Sequence, residues 1–370
     1  MKTMQLVPAM EQGGVERGVV EMNRAIVAAG WENVVVSAGG RLAERIASDG
    51  GRHVTMDVKS KNPLTYFSRA AALRRLVAEE RPDVVCAHSR VPAWLFVAAN
   101  RSLRLPWITF AHGANSVSRY SKVMTAGDLT VTPSKYIADY LKDAYGIADE
   151  KLRVIPRAIE RERFDPAALD ADFVAAKRAE WKIDGCFVVM GVGRITRLKG
   201  YDVLVRAMAR LAGESPRSRP SGRFKLVIVG EAEALRKDVE SDLRELVRRL
   251  GLEERVVFAG NQSKVAECLS LADVVVSSNT EKPEAFGRSM AEALAMGRPV
   301  VAKAFGGALD IVRNGTDGVL VGDGDDFADA ILEVSGKTFD PAALRQSALE
   351  RFSFDKMVER SLSVYKELCK

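Results

Sequence analysis

Two glutamates eight residues apart, Glu284 and Glu292, stand in the stretch EKPEAFGRSMAEALAMGRPVV (281–301). The apolar spacing predicts that a helix begins at Phe286-Gly287, which places Glu284 in the preceding loop and Glu292 in the second turn. Eight helical residues advance about 12 Å, so the two carboxylates are expected to reach opposite ends of an extended ligand. A carboxylate only accepts hydrogen bonds, and the hydroxyls of a sugar and of a ribose are suitable partners. Alternatively, Glu284 caps the helix and Glu292 lies on the surface, although apolar neighbours surround Glu292.

Two cations follow a strand-like run in GVGRITRLKG (191–200), where Arg194 and Lys199 share one loop. A guanidinium and an ammonium that converge there suit a diphosphate, whose charge rises as it leaves a sugar. The amides at the start of the helix after Glu284 are a second place for that diphosphate. The alternative is a pair of solvated loop cations.

A third candidate is the glycine pair Gly13-Gly14, which lies between the first strand-like run and a helical segment. Glycines permit a close backbone approach, and free amides at a helix start hold anions. The pair alone is weak evidence. It lacks the glycine spacing of a dinucleotide site and the lysine of a P-loop, which makes a nicotinamide oxidoreductase an unsuitable interpretation.

These residues follow short Val/Ile-rich runs that alternate with helical segments, a pattern typical of parallel sheets covered on both faces. Two sets of about six strands predict an α/β protein with two doubly wound, Rossmann-like domains that face one another. We place the domains at residues 1–160 and 161–352, with a final helix (353–370) that packs back on the first. The segment 213–222 (GESPRSRPSG) predicts a mobile surface insertion. Ligands of such sheets bind beyond the carboxyl ends of the strands.

The composition is that of a soluble globular protein, with 47% apolar and 28% charged residues. We find neither a run of the roughly 20 apolar residues that a membrane span requires nor a signal-peptide layout at the start. The four cysteines are far apart and predict reduced thiols in a cytoplasmic protein.

The net charge of +6 is unevenly distributed. Residues 1–160 hold 22 lysines and arginines against 16 acids, whereas residues 161–370 hold 33 against 33. The densest basic segment is KSKNPLTYFSRAAALRRL (59–76). Either an anionic partner contacts this half or the charges are a solvated helix face.

The segment PEAFGRSMAEALAMGRPVVA resembles the E-x7-E signature of glycosyltransferase family 4, whose members are retaining enzymes of the two-domain GT-B fold. The resemblance covers nearly the whole chain, including GGVERGVVEMNRAI, FAHG, VTPSKYIADYL, VIPRAIERERFDP, GVGRITRLKG and GGALDIVRNGTDGVLV. HSRVPAW and IPRAIERERFDP look closest to the branch that builds the lipopolysaccharide core.

The resemblance implies a role for each matching residue. Arg194 and Lys199 would neutralise the departing nucleoside diphosphate, and Glu292 would hold the ribose. Glu284 and the amides of Phe286 and Gly287 would hold the donor sugar and phosphate. Gly13 and Gly14 would let the first loop come close to the diphosphate of the donor. His112 would contact the donor sugar, and His88 and Arg90 would make contacts on the acceptor side.

The resemblance also implies that no metal or other cofactor is needed, and GDGDD (322–326) is interpreted as a solvated loop. One departure stands at Arg157-Ala158, where the family usually has Asn-Gly. Ala158 disfavours a positive φ, so the turn between the domains is expected to differ.

The function we predict is transfer of a hexose-type sugar from a nucleotide-diphosphate sugar to a glycan or anionic glycolipid, in lipopolysaccharide core or other cell-envelope synthesis. The basic first half suggests peripheral contact with an anionic inner-membrane surface. No nucleic-acid partner is expected. Two alternatives stay open: a nucleotide-sugar epimerase or hydrolase of the same fold, and a sugar-nucleotide-binding protein without catalysis.

Overall fold

The computed structural model describes residues 1–11, 13–213, 223–233, 237–279 and 281–369. The surface insertion predicted at residues 213–222 lies, apart from Gly213, outside the described residues. The described chain divides into two compact units, one formed by residues 1–157 with 355–370 and the other by residues 158–354.

Unit 1 contains a seven-stranded parallel sheet with the order β3-β2-β1-β4-β5-β6-β7. The strands are β1 (Lys2–Leu6), β2 (Glu32–Ser37), β3 (Arg52–Thr55), β4 (Val84–Ala87), β5 (Trp107–Phe110), β6 (Leu129–Thr132) and β7 (Leu152–Val154). The helices are α1 (Gly14–Ala28), α2 (Ala43–Ser48), α3 (Tyr66–Glu80), α4 (Arg90–Leu103) and α5 (Lys135–Tyr145).

Unit 2 contains a six-stranded parallel sheet with the order β10-β9-β8-β11-β12-β13. Its strands are β8 (Cys186–Val192), β9 (Arg223–Val229), β10 (Val256–Gly260), β11 (Val274–Ser277), β12 (Val300–Lys303) and β13 (Gly318–Val321). Its helices are α6 (Ala171–Glu180), α7 (Tyr201–Gly213), α8 (Lys237–Arg249), α9 (Val265–Ser270), α10 (Arg288–Ala295), α11 (Ala308–Ile311), α12 (Phe327–Ser335) and α13 (Pro341–Phe352). The last helix of the chain, α14 (Phe354–Leu368), falls almost wholly in the residues assigned to unit 1.

Both faces of the second sheet are covered, as the near-continuous apolar strands predict. Along β9, Leu226 and Ile228 enter one hydrophobic cluster, whereas Val227 and Val229 enter another. Successive strand residues point to opposite faces, so a strand buried on both sides is apolar at every position. The prediction of two parallel-sheet α/β domains is confirmed.

One strand was not predicted from the sequence. The edge strand β3 pairs with β2 alone, and all four of its residues are at least partly exposed. Its sequence, RHVT, lacks the Val/Ile run that marked the other strands, because an edge strand has less apolar contact to make.

The C-terminal helix α14 is held in unit 1 by a buried residue and by charges. Tyr365 is fully buried, Arg153 forms an ion pair with Glu367, and Lys366 lies 5.6 Å from the centre of the Trp31 ring. Among the described residues, no helix is both long enough and apolar enough to cross a bilayer.

Candidate active site

Lys199 and Glu284 meet at the carboxyl ends of two neighbouring strands of unit 2. Lys199 ends a short 3-10 helix (Arg197–Lys199) after β8, and Glu284 lies in the loop after β11. Because β8 and β11 are adjacent in the sheet, the two loops lie side by side, and the Lys199 ammonium forms an ion pair with the Glu284 carboxylate. About a quarter of each side chain is exposed, so solvent or a ligand can reach the pair.

The lysine loop is fixed by hydrogen bonds from buried groups. The Tyr201 hydroxyl donates to the carbonyl of Gly193 at 3.0 Å, and the Ser278 hydroxyl donates to the carbonyl of Lys199 at 3.0 Å. Gly230 lies against the same loop, and a Cβ there would be 2.0 Å from the Gly193 oxygen. Burial, with a contribution from Glu284, raises the pKa of Tyr201. Tyr201 therefore stays a neutral donor at physiological pH.

The glutamate loop is held by a glycine pair after β12, Gly306-Gly307. The Gly307 amide donates to the Glu284 carbonyl at 2.8 Å, and a Cβ at Gly307 would be 2.4 Å from the Phe286 oxygen. The Phe286 ring is buried against Phe352, edge to face with centroids 5.5 Å apart. The glycine pair is therefore part of the support for the site, a role that the sequence reasoning missed although two adjacent glycines after a strand were a visible signal.

The helix that follows carries Glu292 where the sequence predicts it, in the second turn of α10. Gly287 precedes the helix at φ 96°, a conformation that favours glycine. The Glu292 side chain is 17% exposed, and its Oε1 lies 3.7 Å from the Arg288 Nε. Its carboxylate thus stands at the edge of a helix that is otherwise largely buried.

Arg194 has a carboxylate partner of its own. Its side chain is 73% exposed and forms an ion pair with Glu233, which follows β9. Glu233 was not part of the predicted site, because the spacing within one loop does not reveal a carboxylate that follows another strand. The convergence of Arg194 and Lys199 on a diphosphate stays a prediction.

Gly13 and Gly14 mark the start of α1 in unit 1. Gly13 is the residue before the helix, and Gly14 is its first residue. A Cβ at Gly14 would meet nothing within 4 Å, whereas one at Gly13 would be 2.4 Å from the Glu16 carboxylate. The space beside Gly14 leaves room for a ligand.

His88 and His112 follow the adjacent strands β4 and β5 and contact each other. The distance from His88 Nδ1 to His112 Nε2 is 3.0 Å, and His112 Nδ1 lies 2.6 Å from Arg157 Nη2. Burial, followed by the Arg157 charge, lowers the pKa of His88 to about 3 and that of His112 well below its usual range. Both rings are therefore neutral at physiological pH, and both His112 nitrogens contact protein groups.

Arg90, the other acceptor-side candidate, lies at the start of α4. Its Nη1 donates to the Ser121 hydroxyl at 3.1 Å, and its guanidinium carbon lies 5.4 Å from the centre of the Tyr120 ring. Neither contact joins it to His88.

Acid is expected to destabilise unit 1 through its buried histidines. An unfolded histidine has a pKa near 6.5, and His88 in the fold has one of about 3, so the unfolded chain binds more protons between these values. The free energy of unfolding therefore falls as the pH drops from 6.5 towards 4, by up to about 1.4 kcal/mol per pH unit for each such group. Urea denaturation across this range should show a shallower fall for His88→Gln than for the wild type, and equal slopes would contradict the assignment.

The acidic segment 322–326 has local structural partners. Asp323 pairs with Lys303 at 2.9 Å, Asp325 accepts from the Gly322 amide at 2.9 Å, and Asp326 precedes α12 and accepts from the Ala328 amide. Throughout the described ranges, no group of three or more His, Cys, Asp or Glu residues is arranged to hold a metal.

Two family models match this chain. Residues 12–163 match the family model for Glycosyltransferase Family 4, and residues 186–336 match the model for Glycosyl transferases group 1. A D-inositol 3-phosphate glycosyltransferase of Catenulispora acidiphila is 34% identical, over 77% of this chain and 72% of the relative. The chain belongs to glycosyltransferase family 4. A D-inositol 3-phosphate glycosyltransferase of Acidothermus cellulolyticus is 37% identical over 66% of this family 4 chain, a match that spans about half (54%) of the relative.

Solved structures show the same fold as this family 4 chain. A glycosyltransferase from Rickettsia africae superposes with a TM-score of 0.88 at 26% identity, covering 100% of this chain and 98% of the other. Anabaena HepE in complex with UDP gives 0.84 at 22% identity, covering 99% and 100%. A lipopolysaccharide outer core galactosyltransferase gives 0.77 at 18% identity, covering 98% and 100%. The two-domain fold is thus GT-B.

Proposed function

We propose that this protein is a retaining glycosyltransferase that moves a hexose-type sugar from a nucleotide-diphosphate sugar to a hydroxyl of a glycan or glycolipid. The observation that carries this proposal is the Lys199–Glu284 pair at the carboxyl ends of β8 and β11, with Glu292 on the helix that follows. A cation paired with one carboxylate, and a second carboxylate on the next helix, suit a donor in which a diphosphate separates two hydroxyl-bearing groups.

In the proposed complex Lys199 contacts the diphosphate, Glu284 the donor sugar and Glu292 the ribose, while the amides of Phe286 and Gly287 add donors for phosphate oxygens. Arg194 joins them by exchanging Glu233 for the diphosphate. An exposed ion pair such as Arg194–Glu233 contributes about 1 kcal/mol or less, so a doubly charged ligand competes with it readily.

The chemistry follows from the charge that develops on the leaving group. The bond between the anomeric carbon and the phosphate oxygen breaks, and the acceptor oxygen forms its bond on the face that the phosphate vacates. The departing phosphate takes the proton of the acceptor hydroxyl. Fixed cations near that phosphate act most strongly in the transition state, where its charge is largest. We propose that this stabilisation comes from side chains, without a metal.

Release of UDP, GDP or ADP from the matching hexose donors tests the reaction. For a metal-independent transferase, release of the nucleotide should depend on an added acceptor and should persist in EDTA. For a retaining enzyme, NMR coupling constants of the product should show the same anomeric configuration as the donor. Fast release without acceptor would instead support the hydrolase, and a changed sugar without release would support the epimerase. Tight donor binding with neither outcome would support a binding protein.

The acceptor we propose is an anionic glycolipid of the cell envelope, such as a lipopolysaccharide core intermediate. The supporting observation is a groove of about 560 Å³ in unit 1, with walls that include Tyr66, Phe67, Trp94 and Tyr120. Leu64 is 90% exposed and Phe67 is 78% exposed beside it. Apolar walls of this kind suit an acyl chain.

The two sequence segments that supply most of the groove's walls are basic, and Lys61 and Arg69 line the groove itself. Residues 58–78 and 84–127 contain no aspartate or glutamate. Their cations are Lys59, Lys61, Arg69, Arg74, Arg75, Arg90, Arg101, Arg104, Arg119 and Lys122. Each lysine or arginine near an anionic bilayer contributes about 1 kcal/mol, so we propose peripheral contact with the inner surface of the membrane.

The second candidate acceptor is a small phosphorylated polyol, which the names of the D-inositol 3-phosphate glycosyltransferases favour. The same cations would bind its phosphate, but it has no acyl chain for the groove. Acceptor competition between inositol 3-phosphate and a short-chain anionic glycolipid separates the two candidates.

We expect the wild-type protein to sediment with vesicles that contain anionic lipid and to remain in the supernatant with zwitterionic vesicles at physiological salt. Phe67→Ser together with Leu64→Ser should reduce the bound fraction severalfold, because the apolar contact is lost. Leu309→Ser, at a leucine of unit 2 that is 56% exposed, is the matched control and should bind as the wild type does. Equal sedimentation with both vesicle types would contradict the membrane proposal.

A further inference from the structure

Four side chains of unit 1 form a continuous chain of hydrogen bonds from Arg157 into the core. Arg157 Nη2 lies 2.6 Å from His112 Nδ1, and His112 Nε2 lies 3.0 Å from His88 Nδ1. His88 Nε2 lies 2.7 Å from Gln5 Oε1. Gln5 stands on β1, next to β4 in the sheet, and β5 follows on the other side of β4. The chain therefore crosses three neighbouring strands.

The direction of every bond in this chain can be inferred by starting from Arg157. A guanidinium only donates, and a neutral imidazole has one donor and one acceptor nitrogen. His112 Nδ1 must therefore accept from Arg157, so His112 Nε2 carries the hydrogen and donates to His88 Nδ1. His88 Nε2 then donates to Gln5, which must present its oxygen.

The orientation of Gln5 leaves an unmatched group on its other side. Gln5 is 1% exposed, and among the described residues its Nε2 has no hydrogen-bond partner. The polar groups nearby are the Cys86 thiol and the Tyr365 hydroxyl, and burial raises the pKa of both, that of Cys86 to about 12. Neither is an anion at neutral pH. Gln5 opposes this effect of burial and lowers the pKa of both groups, as an N–H donor does. The Gln5 N–H groups therefore face Cys86 and Tyr365, and its oxygen faces His88.

Arg157 reaches His112 beside a small cavity and over a glycine. A Cβ at Gly18 would be 2.4 Å from Arg157 Nη1, so α1 has no side chain where the guanidinium passes. A cavity of about 30 Å³ adjoins His112, Arg157 and Gly18, which is the volume of one water or one hydroxyl group. Because His112 and Arg157 both line the cavity, a hydroxyl that enters it lies beside their contact.

We propose that Gln5 is a positioning residue: through His88 it holds the His112 ring neutral, with its hydrogen on Nε2, so that Nδ1 offers a lone pair to a sugar hydroxyl. The inference rests on the proposed function and on the donor-sugar contact of His112 that the family resemblance implies. In the absence of substrate, Arg157 donates a hydrogen bond to this lone pair, and the sugar hydroxyl replaces it on binding. The buried His88–Gln5 half of the chain keeps the same tautomer after Arg157 has moved.

Nitrogen-15 NMR of the full chain tests the tautomers directly, because the protein has three histidines. In the wild type, His88 and His112 should both show the hydrogen on Nε2 between pH 7.5 and 5.5. Arg157→Met should leave that tautomer in place. His53, whose Nε2 lies 2.8 Å from the Ser37 hydroxyl, serves as the internal reference in every spectrum.

Gln5→Glu should reverse the chain. A carboxylate at this position favours a protonated His88, which donates from both nitrogens and forces the hydrogen of His112 onto Nδ1, facing Arg157. We expect kcat for sugar transfer to fall on the order of 10- to 100-fold at pH 6.5 because the wrong tautomer is presented. Activity should recover as rising pH deprotonates His88, whereas the wild-type profile stays flat over the same range.

Gln5→Met is the second variant, in case Gln5→Glu does not fold, and it should give a mixture of both His112 tautomers. Wild-type His112 with its hydrogen on Nδ1, or an unchanged tautomer in both Gln5 variants, would overturn the proposal. If the tautomers are as stated but the wild type transfers no sugar, the proposed function fails and the hydrogen-bond assignment stands.

Discussion

Lys199→Ala is expected to lower kcat/KM for sugar transfer on the order of 10²–10³-fold while the protein stays folded. The ammonium is the cation that the structure places beside Glu284, and the loss of one preorganised group that stabilises transition-state charge has an effect of this size. Because charge on the diphosphate grows as the sugar departs, most of the loss should appear in kcat. Steady-state kinetics with the donor identified by screening measure it.

The matched control is Lys177→Ala. Lys177 is also a mostly buried lysine of unit 2 in an ion pair, 2.8 Å from Glu180 with 17% of its side chain exposed. It lies on α6, outside the loops that follow β8 and β11. Its variant should transfer at nearly the wild-type rate. Equal losses in the two variants would indicate a general effect of removing a lysine, and wild-type activity in Lys199→Ala would remove Lys199 from the site.

Glu284→Gln is expected to cost about 10- to 100-fold in kcat/KM. The amide keeps the size of the side chain and one acceptor oxygen, but it loses the charge that strengthens hydrogen bonds to the donor sugar, and such bonds are worth about 1.5–3 kcal/mol. It also loses the ion pair that holds Lys199 in place. The loop itself should be unaffected, because Gly307 binds the Glu284 backbone carbonyl and not the side chain.

A double-variant cycle with Lys199→Ala shows whether the two residues act together. If Glu284 acts partly by holding Lys199, the combined loss should be smaller than the product of the separate losses. The control is Glu333→Gln, which removes an exposed ion pair with Lys337 and should be neutral. Glu284→Gln with wild-type kinetics would contradict the assignment of a donor-sugar contact.

The sequence was sufficient to predict the fold class because the same pattern, a short apolar strand followed by a helical segment, recurs along both halves of the chain. Strands such as β9 are buried on both faces, and their continuous apolar character separates them clearly from the helices. The edge strand β3 was not predicted because all four of its residues are at least partly exposed, so its sequence RHVT has no continuous apolar run.

Parts of the candidate site were predictable where the position of a side chain depends only on its distance in sequence from the start of a helix. Glu292 stands in the second turn of α10 because the helix starts where the apolar period and Gly287 place it. Lys199 and Glu284 both follow strands of one sheet, and ligands bind at that edge, so the sequence predicted a common site for them but not their ion pair.

Contacts between distant segments could not be predicted from spacing. Glu233 pairs with Arg194 from another loop, and the histidine chain joins Gln5, His88 and His112 across three strands. The departure at Arg157-Ala158 was visible, but the sequence did not show that the Arg157 side chain would meet His112. The described non-glycine residues with a positive φ are Arg81, Arg104 and Lys182. Ala158 therefore has a negative φ, which alanine adopts without strain.

Equilibrium binding of UDP, GDP and ADP, measured by calorimetry on the wild type and on Lys199→Ala and Glu292→Gln, tests the central claim most directly. We predict that one nucleotide binds the wild type at micromolar concentration and raises its melting temperature, and that each variant binds it at least tenfold more weakly. Lys177→Ala should bind as the wild type does. Absence of binding by all three nucleotides, or equal affinity in the wild type and both site variants, would contradict the claim that Lys199 and Glu292 hold a nucleoside diphosphate.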